Sequence, residues 1–160
     1  MVFQDLEAPA TPKMFFVTVG SLRYCKENCK PAIVTMMNWI SEPVLWTPDW
    51  IYCGSLYAAN DCRLLALDAL LFQKSVGNDK FIAESACAYA AAFVKRLNEG
   101  SHHNISDIGF LTIDYEDLIA ETMPEDWLSI MVSVRSSCPG GVVIKESTES
   151  SSAESNYVSE

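Results

Sequence analysis

A chain of 160 residues, 49% apolar and 20% charged, is long enough for one domain with a real core and too hydrophobic to be disordered throughout. Its net charge of −10 is concentrated: residues 1–98 carry nine basic and nine acidic side chains, residues 99–126 eight acids with no Lys or Arg, and residues 127–160 two bases and four acids. That distribution excludes a clustered-cation surface for nucleic acid and suits a basic protein partner; six cysteines are too few for a disulfide scaffold.

The first stretch, "MVFQDLEAPATPK", lacks the basic start and apolar run of a signal peptide, and no run of 18 apolar residues follows. The expectation is a cytoplasmic chain with reduced thiols and no membrane span. "MFFVTVG" (14–20) predicts a strand of β-branched and aromatic residues closed by Gly20. "PAIVTMMNWI" (31–40) reads either way: Pro31 suits a helix start and Ile33, Met36, Met37 and Ile40 one helical face, while the β-branched residues favour a strand. "SEPVLWTPDWIYCG" predicts an irregular segment ending in a short strand at 50–53.

Residues 61–73 are expected to form a helix capped by Asn60 or Asp61, and residues 79–98 a second with a stripe of Ile82, Ala86, Tyr89, Phe93 and Leu97. Lys95 and Arg96 complement the second helix's C-terminal dipole, and Gly100 terminates it. A hairpin is predicted next, "HHNIS" turning at Asp107–Gly109 into "FLTID". Asp114 then caps a short helix with Tyr115, Leu118, Ile119 and Met123 as its stripe and Asp117 in the box position. "LSIMVSVRS" alternates as a strand. The elements add up to a single α+β domain over residues 1–138, two central helices with a mainly antiparallel sheet, followed by a disordered, acidic Ser/Glu-rich tail at 139–160.

One constellation points to chemistry. Cys62 falls in the first turn of the predicted 61–73 helix, where free amides lower a thiol pKa. A histidine supplies the base and ion-pair partner, and a carboxylate orients it. In the predicted hairpin a two-residue turn sets His103 diagonal to Asp114 on one face, whereas a three-residue loop pairs His102 with Asp114. "NDCRLLALDALLF" is similar to the nucleophile helix of papain-like cysteine peptidases of viruses, the aphthovirus leader type especially, with Asn60, Cys62, Leu64, Ala66 and Leu70 or Leu71 following its pattern. "FLTIDYEDLIAETMPEDWLSIMVSV" resembles the strand that ends in that family's third catalytic residue, with the acids and last apolar strand after it. The resemblance spans about residues 57–135 and implies Cys62 as nucleophile, His103 as base, Asp114 as orienting group, and Asn60 with the Cys62 amide as oxyanion donors. Arg63 departs from the family's Trp or Tyr, and the 41-residue interval from Cys62 to His103 is short for it. The implied function is a cysteine hydrolase of viral accessory type, active or degenerate, acting on a peptide substrate.

The competing class is a non-enzymatic, small acidic interaction or inhibitor protein gripping a basic protein through residues 99–126, with exposed tryptophans among Trp39, Trp46, Trp50 and Trp127 as anchors. Acids at 114, 116, 117, 125 and 126 also suit helix starts and turns. "YCKENC" raises zinc, with Cys25 and Cys29 joined by Cys53 and Cys62 or a histidine, but zinc sites favour pairs separated by two residues, and no metal or cofactor is expected. Cys87 reads as packing. In the tail, "GVVIKESTESSSAE" resembles a SUMO-interacting motif, in which Val142, Val143 and Ile144 would add a strand to the partner's sheet.

Overall fold

Aromatic and β-branched residues make Lys13–Val19 a strand (β1) with both faces covered. Phe15 and Val17 enter one core cluster, while Met14 and Phe16 enter another. This computed structural model describes residues 1–99, 105–109 and 113–123. β1 is the centre of a three-stranded antiparallel sheet, between β4 (Trp39–Ile40) and β6 (Arg63–Asp68), with Phe15 opposite Ile40 and Ala66. Gly20, at φ 83°, turns the chain from β1 into β2 (Ser21–Cys25). β2 is the centre of a second antiparallel sheet, between β3 (Ala32–Thr35) and β5 (Ser55–Ala58). Leu22, Tyr24, Val34 and Leu56 point inward from this sheet and close with Phe3, Tyr52 and Ile108 over one core.

The helices are α1 (Pro43–Trp46), α2 (Ala69–Val76), α3 (Lys80–Glu99) and α4 (Tyr115–Thr122). The architecture is α+β, with the antiparallel strands divided between two small sheets. α3 and α4 pack on each other through Phe93, Leu97 and Leu118, joined by Ile113. α1 lies on the β1 face that carries Met14 and Phe16, and Val44, Leu45 and Ala69 fill that cluster. No helix among the described residues is long and apolar enough to cross a membrane.

Several elements differ from expectation. The ambiguous 31–40 stretch is two strands, β3 and β4, separated by a turn in which Met37 has φ 72°. The strand expected at 50–53 lies at Ser55–Ala58, and a helical turn starts at Pro43. The helix expected over 61–73 is β6 followed by α2, and its cap is Asp68, whose carboxylate accepts from Leu71 N at 3.0 Å. Ladder pairing with β1 overrides the helix propensity of "RLLALD". Leu64 and Leu67, three residues apart within the stretch expected to be helical, go to opposite faces of the sheet.

The long helix α3 and the Asp114-capped α4 occur where expected; Asp114 accepts from Glu116 N at 3.1 Å and Asp117 N at 3.2 Å. Residues 105–109 form no strand. Ile108 and Asp107 are fully buried there, as core contacts rather than as a hairpin turn. His102, His103, Gly100, Trp127, the strand expected at 128–136 and the tail with Val142, Val143 and Ile144 lie outside the described residues.

Candidate functional site

Cys62 is not at a helix start. It precedes β6 and packs against the first core cluster, beneath the β1–β2 turn. Its Sγ donates to the Ser21 carbonyl at 3.0 Å and stands 3.2 Å from the Asn60 carbonyl. A Cβ on Gly20 would collide with the Asp61 carbonyl oxygen and stand 2.9 Å from Cys62 Sγ. Asn60 is equally committed: its Oδ1 accepts from Ser21 N at 2.8 Å and fixes the start of β2. Asp114 spends its carboxylate on two amides of α4. Cys62 and Asn60 both serve the β1–β2 turn, Asp114 serves the start of α4, and no helix dipole stands behind the thiol.

The thiols of Cys25, Cys29, Cys53, Cys62 and Cys87 are free, and no metal-holding group of side chains occurs among the described residues. Burial, with Asp107 nearby, pushes the Cys53 thiol up to about 11, which leaves it a poor nucleophile at neutral pH. The acidic segment is largely occupied with its own fold. Asp114, Glu116 and Asp117 serve the start of α4, Glu121 meets Arg96 at 2.7 Å, and Glu99 lies 3.9 Å from Lys95. Asp107 is buried completely and accepts from Tyr24 Oη at 2.8 Å, Trp50 Nε1 at 2.7 Å and Cys53 N at 2.9 Å. It therefore ties the second sheet to the 50–53 segment, and its backbone carbonyl accepts from Ser41 N at 2.7 Å. Of the described acids in the segment expected to grip a basic partner, Asp107 is buried, whereas Glu99, Asp114, Glu116, Asp117 and Glu121 are exposed.

The arrangement that sequence reasoning missed is centred on Glu42. It immediately follows β4 and Ser41, starts α1, and is only 5% exposed. Its side chain does not cap α1 but turns inward. Oε1 accepts from Tyr89 Oη at 2.7 Å and Trp46 Nε1 at 3.3 Å; Oε2 accepts from Tyr115 Oη at 2.7 Å and Trp39 Nε1 at 2.8 Å. One carboxylate thus joins β4, α1, α3 and α4. Trp39 stands edge-on to Tyr115 with centroids 5.1 Å apart, and Trp46 lies 5.3 Å from Tyr89. Burial, reinforced by the Glu42 charge, holds the Tyr89 and Tyr115 hydroxyls well above the usual tyrosine range, so both remain donors at neutral pH. The signal available in the sequence was the spacing Trp39–Glu42–Trp46: an acid between two indoles at i−3 and i+4 in an apolar stretch.

These five side chains wall a cavity of about 580 Å³ between the β1 sheet and the helices. Met14, Phe16 and Leu67 form its floor, and Phe72 of α2 and Ile119 of α4 its sides. Ile82, Ser85, Ala86 and Tyr89 line it from α3. A smaller cavity of about 250 Å³ shares Leu45, Trp46, Phe72, Val76 and Ala86 with it. The stripe of α3 therefore has two fates. Phe93 and Leu97 are core, whereas Ile82, 41% exposed, faces the cavity. No Lys, Arg or His is among the described residues of the lining, and Glu116 adds a second carboxylate.

No protein-family model matches the sequence, and no curated protein does. Two solved structures superpose weakly. One, described as "A cyclic-GMP-dependent signalling pathway regulates bacterial phytopathogenesis", has TM-score 0.44 and 20% identity over 62% of this chain and 84% of its own. The other, the catabolite activator protein of Thermus thermophilus, has TM-score 0.38 and 14% identity over 84% of this chain and 76% of its own. At these scores neither likeness assigns a family or an activity. The papain-like, viral-accessory reading is corrected: Cys62 leads into a strand, which removes the nucleophile helix on which that reading rested.

Proposed function

We propose that this protein is a ligand-binding protein that takes a small, mainly apolar molecule into the cavity around Glu42. One observation carries the proposal: an apolar cavity of about 580 Å³, walled by three sheet strands and parts of all four helices, with one buried carboxylate set in an aromatic wall. Small-molecule sites are typically concave, largely apolar, about 300–1,000 Å³ in volume, and carry a few placed polar groups for orientation. The space around Glu42 matches that description. A cyclic nucleotide fits it poorly. Its phosphate would meet no Lys or Arg among the described lining residues and would lie close to the Glu42 charge.

Calorimetric titration with a simple apolar probe, 1-hexanol, tests the proposal. The native protein is expected to bind it saturably with unit stoichiometry. Ala86 lines both cavities, so Ala86→Trp is expected to abolish binding while the protein remains folded by circular dichroism. Absence of saturable binding, or binding that Ala86→Trp leaves unchanged, would overturn the assignment.

A further inference from the structure

We infer that the cavity selects a molecule whose apolar body ends in a quaternary ammonium group, seated beside Glu42. The inference rests on the ligand-binding reading above and names the ligand class. Three observations on the cavity wall carry it.

The first is charge. Glu42 is buried, and its four donors, two indoles and two phenols, are all neutral. Among the described residues the ion pairs are Lys80–Glu84, Lys95–Glu99 and Arg96–Glu121, none of which includes Glu42. A buried carboxylate without a cation is costly, and a cation in the adjoining cavity offsets that cost. The second is the aromatic lining: Trp39, Trp46, Tyr89 and Tyr115 all border the space beside the carboxylate. Aromatic walls attract cations through the ring quadrupole, most strongly where water is excluded, and aromatic cages are a recurrent solution for quaternary ammonium groups.

The third observation decides between kinds of cation. A carboxylate offers about four lone-pair positions, and here each oxygen already accepts two hydrogen bonds. A primary ammonium entering the cavity brings three N–H donors and finds the nearest acceptor full. Buried unmet donors are penalised. A trimethylammonium group has no N–H and needs only the field and the ring faces. The absence of Lys, Arg and His from the described lining argues equally against a zwitterionic phosphocholine, whose phosphate would find no counter-charge among those residues. The expected ligand is therefore a phosphate-free soluble amphiphile with a quaternary ammonium head.

The test is calorimetric titration of the full chain with hexyltrimethylammonium, hexylammonium, 1-hexanol and monomeric dihexanoylphosphatidylcholine. Hexyltrimethylammonium is expected to bind about tenfold more tightly than 1-hexanol and than hexylammonium, with no binding of the phosphocholine. Glu42→Gln is expected to erase the preference over 1-hexanol. Because that amide would set an N–H against two donors and could unfold the protein, Tyr89→Phe serves as the second variant. It frees one lone pair on Oε1 and is expected to raise the affinity for hexylammonium relative to hexyltrimethylammonium. Equal binding of 1-hexanol and hexyltrimethylammonium would overturn the head-group inference and leave the apolar-cavity reading standing. Hexylammonium binding as tightly as hexyltrimethylammonium in the native protein, or phosphocholine binding as tightly, would also overturn it. If none of the four binds, both readings fall.

Discussion

Ser41 holds the least comfortable position among the described residues. It is completely buried, its backbone sits at φ 65°, and its hydroxyl has no hydrogen-bond partner among the described residues. A left-handed conformation disfavours an L side chain by about 1–2 kcal/mol, and an unmet buried hydroxyl costs about 1–3 kcal/mol. Ser41→Gly removes both penalties and adds the entropy of a freer unfolded chain, about 0.5–1 kcal/mol in the other direction. The expected outcome is a net stabilisation of about 1 kcal/mol, read as a higher urea midpoint at unchanged slope; a lower midpoint would show that the hydroxyl has a hidden role.

Asp107 gives a pH-dependent prediction at the same scale. Burial holds its carboxyl above the usual carboxylate range, opposed by the hydrogen bonds from Trp50, Tyr24 and the Cys53 amide. Because the folded state binds this proton more tightly than the unfolded chain, the group's contribution is fully present below the unfolded pKa and is lost as pH rises through the folded one. Asp107→Asn abolishes the titration and turns one accepting oxygen into a donor facing a donor, at a cost of about 1–3 kcal/mol. The stability gap between native protein and Asp107→Asn is therefore expected to be widest in acid and to narrow as pH rises toward neutrality. A gap that widens with pH, measured by urea unfolding at several pH values, would reverse the assigned sign. Neither Glu42 nor Asp107 was legible as a hub beforehand. Asp107 was read as part of a turn, and Glu42 as part of an irregular segment, because an acid's donors come from residues as distant as 83 positions in sequence.

Among the elements, those defined by local chemistry were legible and those defined by pairing were not. β1 was marked by its β-branched run and Gly20, α3 by its stripe and C-terminal bases, and α4 by Asp114. β6 failed because "RLLALD" is made of good helix formers, and only the ladder to β1 makes it a strand. The same error created the false nucleophile, since a strand start offers a thiol no dipole. What Cys62 and Asn60 share is the β1–β2 turn, and Gly20 is its critical residue. Gly20→Ala would meet the Asp61 carbonyl and force a side chain onto φ 83°. Strained backbone of that kind costs about 1–3 kcal/mol before the collision is counted. The variant is expected to lose about 2–4 kcal/mol by urea unfolding, and a loss below about 0.5 kcal/mol would mean that the turn can open freely. Cys62→Ser, by contrast, keeps a donor for the Ser21 carbonyl and is expected to change stability far less.

For the whole molecule, the cavity links the two halves of the fold: β1 and β6 below, α1 to α4 around it, with Glu42 hydrogen-bonded across three of those elements. No sequence pattern announces such a space. Ile82 and Ala86 lie on the same stripe as Phe93 and Leu97, and periodicity alone cannot separate residues that fill a core from residues that border a void. Occupancy should then be felt as stability. A ligand that binds only the native state stabilises it by about 2.7 kcal/mol at a free concentration of 100 times Kd. For a chain of this size each kcal/mol moves the melting temperature by about 2–4 °C, so saturation is expected to raise it by about 5–10 °C. The sign is diagnostic, because an apolar solute that prefers the exposed chain lowers the transition instead. In Ala86→Trp the indole occupies the same volume, so the variant is expected to show none of the ligand-dependent rise. A rise of equal size in native protein and Ala86→Trp would place the ligand elsewhere and leave the cavity as packing that the fold tolerates.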